Sequence, residues 1–205
     1  MANSMKTIAK RYFPKAIQVT DRFHVQKLAL EALQNIRIKH RWEAIDLENE
    51  EIKQARTFKK GYQPRIFTNG DTRKQLPARS RYLLYKAPSK WTGNQYQRSK
   101  ILFNEYPDIK IAHNLTQELR TLFNTASSIK LAHWYNQVEK SGFKAFNTIA
   151  NTIHINYKSI LNYFINKSTN ASAESFNAKI KAFRTQFRGV KNIEFFLFRL
   201  TTIFA

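Results

Sequence analysis

Two carboxylates stand where metal-assisted phosphodiester chemistry would need them. Residues 16–20 alternate Ile17 and Val19 with polar neighbours, the pattern of a short half-buried strand, and Asp21 follows directly. Far downstream, Glu174 falls on the first turn of a basic helix beginning in Asn170-Ala-Ser-Ala-Glu-Ser-Phe-Asn177. A carboxylate at a strand end and another on a helix, in a chain of net charge +21, is how magnesium-dependent enzymes that cut DNA present their ligands. Two divalent ions would hold the attacking and leaving oxygens of the phosphodiester, and such a site needs about three acids. His24, three residues after Asp21, would stand over the same strand end, to orient a carboxylate or touch phosphate. Each has a plainer reading as well. Glu174 can stabilise a helix N-terminus, Asp21 can cap the helix that follows, and His24 can be a packed polar residue.

The elements that would position these residues are mostly helical. Met5, Ile8, Ala9 and Tyr12 give a short surface helix over residues 3–13, stopped by Pro14. Val25, Leu28, Ala29, Ala32, Leu33 and Ile36 form an apolar stripe, with Arg22, Lys27, Arg37 and Lys39 mostly off it. The Glu-rich stretch 43–51 reads as a solvated helix face. Helical spacing recurs at Leu115, Leu119 and Leu122, at Ile129, Ala132 and Tyr135, and at Phe143, Phe146, Ile149 and Ile153. The apolar run 160–164 reads either as a second strand returning to the sheet or as a helix end. Two helices finish the chain: Phe176, Ile180, Phe183 and Phe187 face inward on the first, Gly189 terminates it, and Ile193, Phe196, Leu197, Leu200 and Phe204 line the second.

Charge narrows the partner. Thirty-five Lys and Arg face 14 Asp and Glu, a surplus that binds phosphate backbones by counterion release. From residue 52 to 104 there are 13 cations and one acid, Asp71, and Tyr82, Tyr85, Trp91 and Tyr96 are interleaved with them. Such rings can stack on bases or serve as ordinary core. The expected phosphate contacts in this segment are Lys59, Lys60, Arg65, Arg73, Lys74, Arg79 and Arg81, joined near the C-terminus by Lys179, Lys181, Arg184 and Arg188. The chain has no Cys, which excludes disulfides, zinc ribbons and thiol nucleophiles. It has no Gly-rich phosphate loop or serine elbow. His40, His113, His133 and His154 show no metal-ligand spacing. No apolar run suits a membrane span and no secretory signal is evident, so a cytoplasmic, nucleoid-associated protein is expected.

Two blocks carry a specific resemblance: Phe13-Pro-Lys-Ala-Ile-Gln-Val-Thr-Asp-Arg-Phe-His-Val-Gln-Lys-Leu28, and Asn170-Ala-Ser-Ala-Glu-Ser-Phe-Asn-Ala-Lys-Ile-Lys-Ala-Phe-Arg-Thr-Gln-Phe-Arg-Gly-Val190. They resemble the matching parts of DDE transposases of the ISL-three group of bacterial insertion sequences. The similarity extends from near Met1 to the C-terminus. It implies an α+β, predominantly helical chain: a partial RNase H-like fold with a large helical insertion. Residues 1–42 and 156–205 would form the core and residues 43–155 the basic insertion. It also implies Mg²⁺ as cofactor and DNA, both transposon ends and target, as partner. Glu174 corresponds to the family's last catalytic glutamate. Asp21 corresponds either to a catalytic aspartate or to the Cys of a Cys-x-x-His element in Mutator-type transposases, with His24 matching the His. The family's first aspartate, its opening strands and its N-terminal DNA-binding region have no counterpart here. The resemblance therefore implies a C-terminal portion, inactive alone, able to self-associate or pair with full-length transposase. A non-catalytic DNA-binding module is the rival expectation. A basic RNA-binding structural protein explains the charge but neither block.

Overall fold

The computed structural model describes residues 3–20, 22–125, 128–166, 171–187, 189 and 191–204. Helix α1 (Asn3–Tyr12) ends just before Pro14, and α2 (Arg22–Thr57) then runs for 36 residues without a break, roughly 54 Å at 1.5 Å per residue. The basic segment folds as short helices: α3 (Gln75–Arg79), α4 (Arg81–Tyr85), a 3₁₀ turn at Pro88–Lys90, and α5 (Gly93–Glu105). Thr92 starts α5 with a reciprocal cap, its hydroxyl accepting from the Gln95 amide while the Gln95 side chain accepts from the Thr92 amide. Helices α6 (Pro107–Thr125), α7 (Ser128–Ser141) and α8 (Lys144–Ile155) follow. Then come α9 (Tyr157–Asn166), α10 (Ala171–Gln186) and α11 (Ile193–Phe204). Among the described residues no helix is long and apolar enough to cross a membrane.

The chain divides into two compact units, residues 1–164 and 165–205. In the first, α2 packs against α3, α4, α6 and α8, while α6 also meets α5 and α7. Val25, Ala29, Ala32 and Leu33 of α2 join Leu83, Leu84, Leu102, Ile109, Leu115, Leu119, Phe146 and Ile153 in one buried cluster. Trp134 is fully enclosed and its indole N–H donates to the Leu115 carbonyl at 2.9 Å, fastening α7 to α6. In the second unit, the Phe183 ring lies 4.5 Å from Phe187 and 5.3 Å from Phe196, joining α10 to α11. Gly189, with φ +94°, takes the left-handed conformation after α10.

The predominantly helical character stands as expected, while other expectations are corrected. The chain is predominantly helical, and among the described residues the one β pairing is an isolated antiparallel bridge, Ile66 to Thr72. Residues 16–20 form no strand. Their polar groups are met instead by α9: the Thr20 amide donates to the Ser159 carbonyl at 2.8 Å, the two hydroxyls meet at 2.7 Å, and the Asn162 amide donates to the Gln18 carbonyl at 2.9 Å. The run 160–164 belongs to α9, so its helical reading holds. Arg37 is buried, not peripheral; it donates to the Gln34 side chain at 2.6 Å and to the Pro77 carbonyl at 3.0 Å. Burial, then repulsion from Arg41 and Arg81, lowers its pKa.

Trp134→Ala removes the largest enclosed side chain and a buried hydrogen bond. The expected loss is about 3–5 kcal/mol of unfolding free energy, read as a fall in the urea midpoint; an unchanged midpoint would contradict the packing described.

Candidate nucleic-acid interface

The residues expected to carry catalysis are placed unevenly. Asp21 lies outside the described residues, as does the Glu174 side chain, although Glu174 itself is in the first turn of α10. His24 is in the first turn of α2, exposed, with its ring 6.3 Å from that of Phe23. Among the described residues no three His, Asp or Glu side chains gather as a metal site would require. His40 holds Glu43 at 2.8 Å and Asp108 at 2.6 Å through its two ring nitrogens, tying α2 to α6. His113 is buried beside Trp91 and Phe103, and burial lowers its pKa.

The basic segment is better defined, and its cations divide into two groups. Four of the expected phosphate contacts are engaged within the protein. Arg65 grips Glu105 with two contacts at 3.0 and 3.3 Å and lies over the Phe67 ring. Arg73 donates to Glu51 at 2.9 Å, Lys74 to Glu48 at 2.9 Å, and Arg79 to Asp71 at 2.7 Å. The Glu-rich part of α2 is therefore not a plain solvated face: Glu48 is buried, and with Glu51 it clamps residues 73–74 to α2. Lys59 and Lys60 are exposed and form no ion pair among the described residues. Arg81 lies 5.7 Å over the exposed Tyr82 ring.

Trp91 belongs to the core, packing on Phe103 and donating its indole N–H to the Leu83 carbonyl at 2.7 Å. Tyr82 and Tyr96 are exposed and remain open to stacking. In the second unit Lys179, Lys181 and Arg184 are exposed along α10, whereas Arg188 lies outside the described residues.

Asp71 is the group that sequence reasoning passed over. Its carboxylate is fully enclosed and accepts from Arg79 at 2.7 Å, Arg98 Nε at 2.7 Å and the Asn69 amide at 2.7 Å. A turn presents it: the Phe67 amide donates to the Asp71 carbonyl, the Gly70 amide to the Phe67 carbonyl, and Gly70 takes φ +79°. Burial alone would push the carboxyl up, but hydrogen bonds from Arg98 and then Arg79 outweigh it and hold the pKa below the ordinary aspartate value. The available signal was modest: one acid among thirteen cations, behind an Asn-Gly turn pair.

A native pKa below the unfolded value stabilises the fold above the unfolded pKa, and that contribution is lost as pH falls through the native value. The wild type should thus lose stability as pH falls through and below the ordinary aspartate range. Asp71→Asn should be less stable at neutral pH by roughly 2–3 kcal/mol, because one of the two stranded guanidiniums is half exposed. The gap between the two proteins should narrow in acid. Thermal melts across pH 2–7 test this; parallel curves would disprove it.

Comparison with known proteins gives one finding. The family model for ISL-three DDE transposases, described as Transposase, matches residues 1–200. No curated protein and no solved structure matches the chain. A family match over nearly all of the sequence, across both motif blocks and the basic region between them, places the chain in the transposase family of the ISL-three group.

Proposed function

We propose that this chain acts in DNA transposition by gripping DNA through its surplus cations, and that it does not cleave DNA strands by itself. The observation that carries the reading is family membership over residues 1–200 combined with a net charge of +21. Lys59 and Lys60 in the first unit, and Lys179, Lys181 and Arg184 in the second, are the contacts we assign to phosphate. Arg65, Arg73, Lys74 and Arg79 are secondary, since each also serves a carboxylate inside the protein.

In the intact family a divalent metal, taken here as Mg²⁺, supports attack on the phosphodiester. We assign Glu174 as a metal ligand, Asp21 as a ligand or its neighbour, and His24 as a residue shaping the site, within an RNase H-like core. The other acids give little support for a complete site. Glu48, Glu51, Asp71, Glu105 and Asp108 are each committed to a cation or histidine. Two carboxylates cannot readily hold two magnesium ions in geometry. The chain therefore serves as a DNA-holding element, alone or paired with an active transposase.

Binding to duplex DNA should weaken steeply with salt, and Lys59→Ala/Lys60→Ala should reduce the slope of log affinity against log salt by about 2. Arg73→Ala should instead show mainly in thermal stability. Supercoiled DNA with Mg²⁺ or Mn²⁺ should stay intact. Nicking that Glu174→Gln abolishes would overturn the non-cleaving reading, and equal affinity for duplex RNA at every salt concentration would favour a general RNA binder.

A further inference from the structure

One cleft in the first unit has chemistry that backbone-phosphate binding leaves unused. It encloses about 660 Å³ between the turn 66–72 and α5, and is lined by Thr68, Asn69, Asn94, Gln97, Arg98, Lys100 and Ile101. Asn94, Gln97, Arg98 and Ile101 recur at helical spacing, so a single face of α5 forms one wall. The opposite wall is preorganised by the Gly70 turn and by the paired contacts of Asn69 with Asp71.

The lining offers two kinds of recognition. Arg98 is anchored to Asp71 through Nε at 2.7 Å and one terminal nitrogen at 3.5 Å, leaving its other terminal nitrogen without a hydrogen bond among the described residues. Asp71 is shared with Arg79, so this trio retains a positive charge, and Lys100, seated 4.5 Å over the Tyr96 ring, adds another. That edge suits an anion. Asn94 and Gln97 are exposed, and among the described residues their carboxamides make no hydrogen bond. A phosphate only accepts hydrogen bonds, so the carbonyl half of each carboxamide has nothing to offer it. A nucleobase edge uses both halves, and a planar carboxamide pairs with adenine through two hydrogen bonds. The volume is far larger than a phosphate requires and suits a small-ligand site.

We propose that this cleft binds one nucleotide, its phosphate toward Arg98 and Lys100 and its base edge against Asn94 and Gln97. The nucleotide is either an unpaired residue of a DNA strand or a free mononucleotide. In the first case the site deepens the DNA-holding reading and rests on it.

The test compares wild type with Asn94→Ala/Gln97→Ala, a pair of exposed helix substitutions, checked by thermal melting. Short duplexes that are fully paired, or that carry one unpaired adenosine or one abasic nucleotide at the same place, are titrated by fluorescence anisotropy. Deoxyadenosine monophosphate is titrated separately by NMR. The expected result is about tenfold tighter binding of the adenosine duplex than of the abasic one, lost in the double variant while affinity for the paired duplex is unchanged. Mononucleotide binding that the variant abolishes, without any preference for the unpaired adenosine, supports the site with a free nucleotide as its source. Equal binding of adenosine and abasic duplexes, together with no mononucleotide binding, overturns the proposal even if duplex affinity is strong. Loss of all duplex binding with mononucleotide binding retained would overturn the DNA-holding reading and leave the cleft standing.

Discussion

The scarcity of acids governs this structure. With 14 carboxylates against 35 Lys and Arg, self-repulsion opposes a compact state, so the placement of each acid matters. Glu48 and Glu51 on α2, Asp71 in the turn before α3, and Glu105 at the end of α5 together hold Lys74, Arg73, Arg79, Arg98 and Arg65. These contacts fasten the most basic stretch of the chain to the helical body. Most are partly exposed, where an ion pair contributes about 0–1 kcal/mol. Asp71 is different, because its carboxylate is sealed from water and its two guanidinium partners are needed to keep it ionised there.

Cohesion therefore changes character along α2. Its first half meets the bundle through Val25, Ala29, Ala32 and Leu33, an apolar seam continuous with α6 and α8. On the same side further along come Arg37, Ala44 and Glu48, also buried. The stripe persists in geometry while its chemistry turns polar. Arg37 is buried, which lowers its pKa, and its guanidinium is kept in place by the Pro77 carbonyl and the Gln34 side chain. The basic segment is thus attached both by apolar anchors, Leu76, Leu83, Leu84 and Leu102, and by directional polar contacts that demand particular partners, whereas α6, α7 and α8 are joined mainly by shape and apolar area.

That division explains what the sequence disclosed. Helices with apolar stripes were readable: the Val25 to Ile36 stripe, the Leu115 to Leu122 run, the Phe143 to Ile153 run and the two C-terminal helices all stand in α2, α6, α8, α10 and α11, although Leu28, Phe176, Ile193 and Leu197, expected to face inward, are exposed. Elements defined by polar partners were not. Residues 16–20 alternate as a strand would, yet their hydrogen bonds go to Ser159 and Asn162, about 140 residues away, and no local pattern encodes that. Arg37 and Glu48 look like solvent-facing helix residues until Pro77 and Lys74 are brought beside them. Of the candidate site, the basic character of residues 52–104 was legible from composition. The division of its cations into paired and unpaired was not, because it depends on which acids come within reach.

Salt acts on these two groups of cations differently. Exposed Lys59 and Lys60 lie in the aqueous screening atmosphere, where contacts with phosphate fade over a Debye length of about 8 Å at physiological ionic strength. The Asp71 contacts with Arg79 and Arg98, at 2.7 Å around an enclosed carboxylate, are screened far less. On the proposed DNA-holding function, rising salt would therefore strip nucleic acid from the surface well before it loosened the network beneath. Asp71 lowers the local charge by one unit, yet it fixes two guanidiniums whose mutual repulsion would otherwise push α3 and α5 apart. A basic surface can stay folded in the absence of DNA when the acid that supports it is buried under the cations it orders.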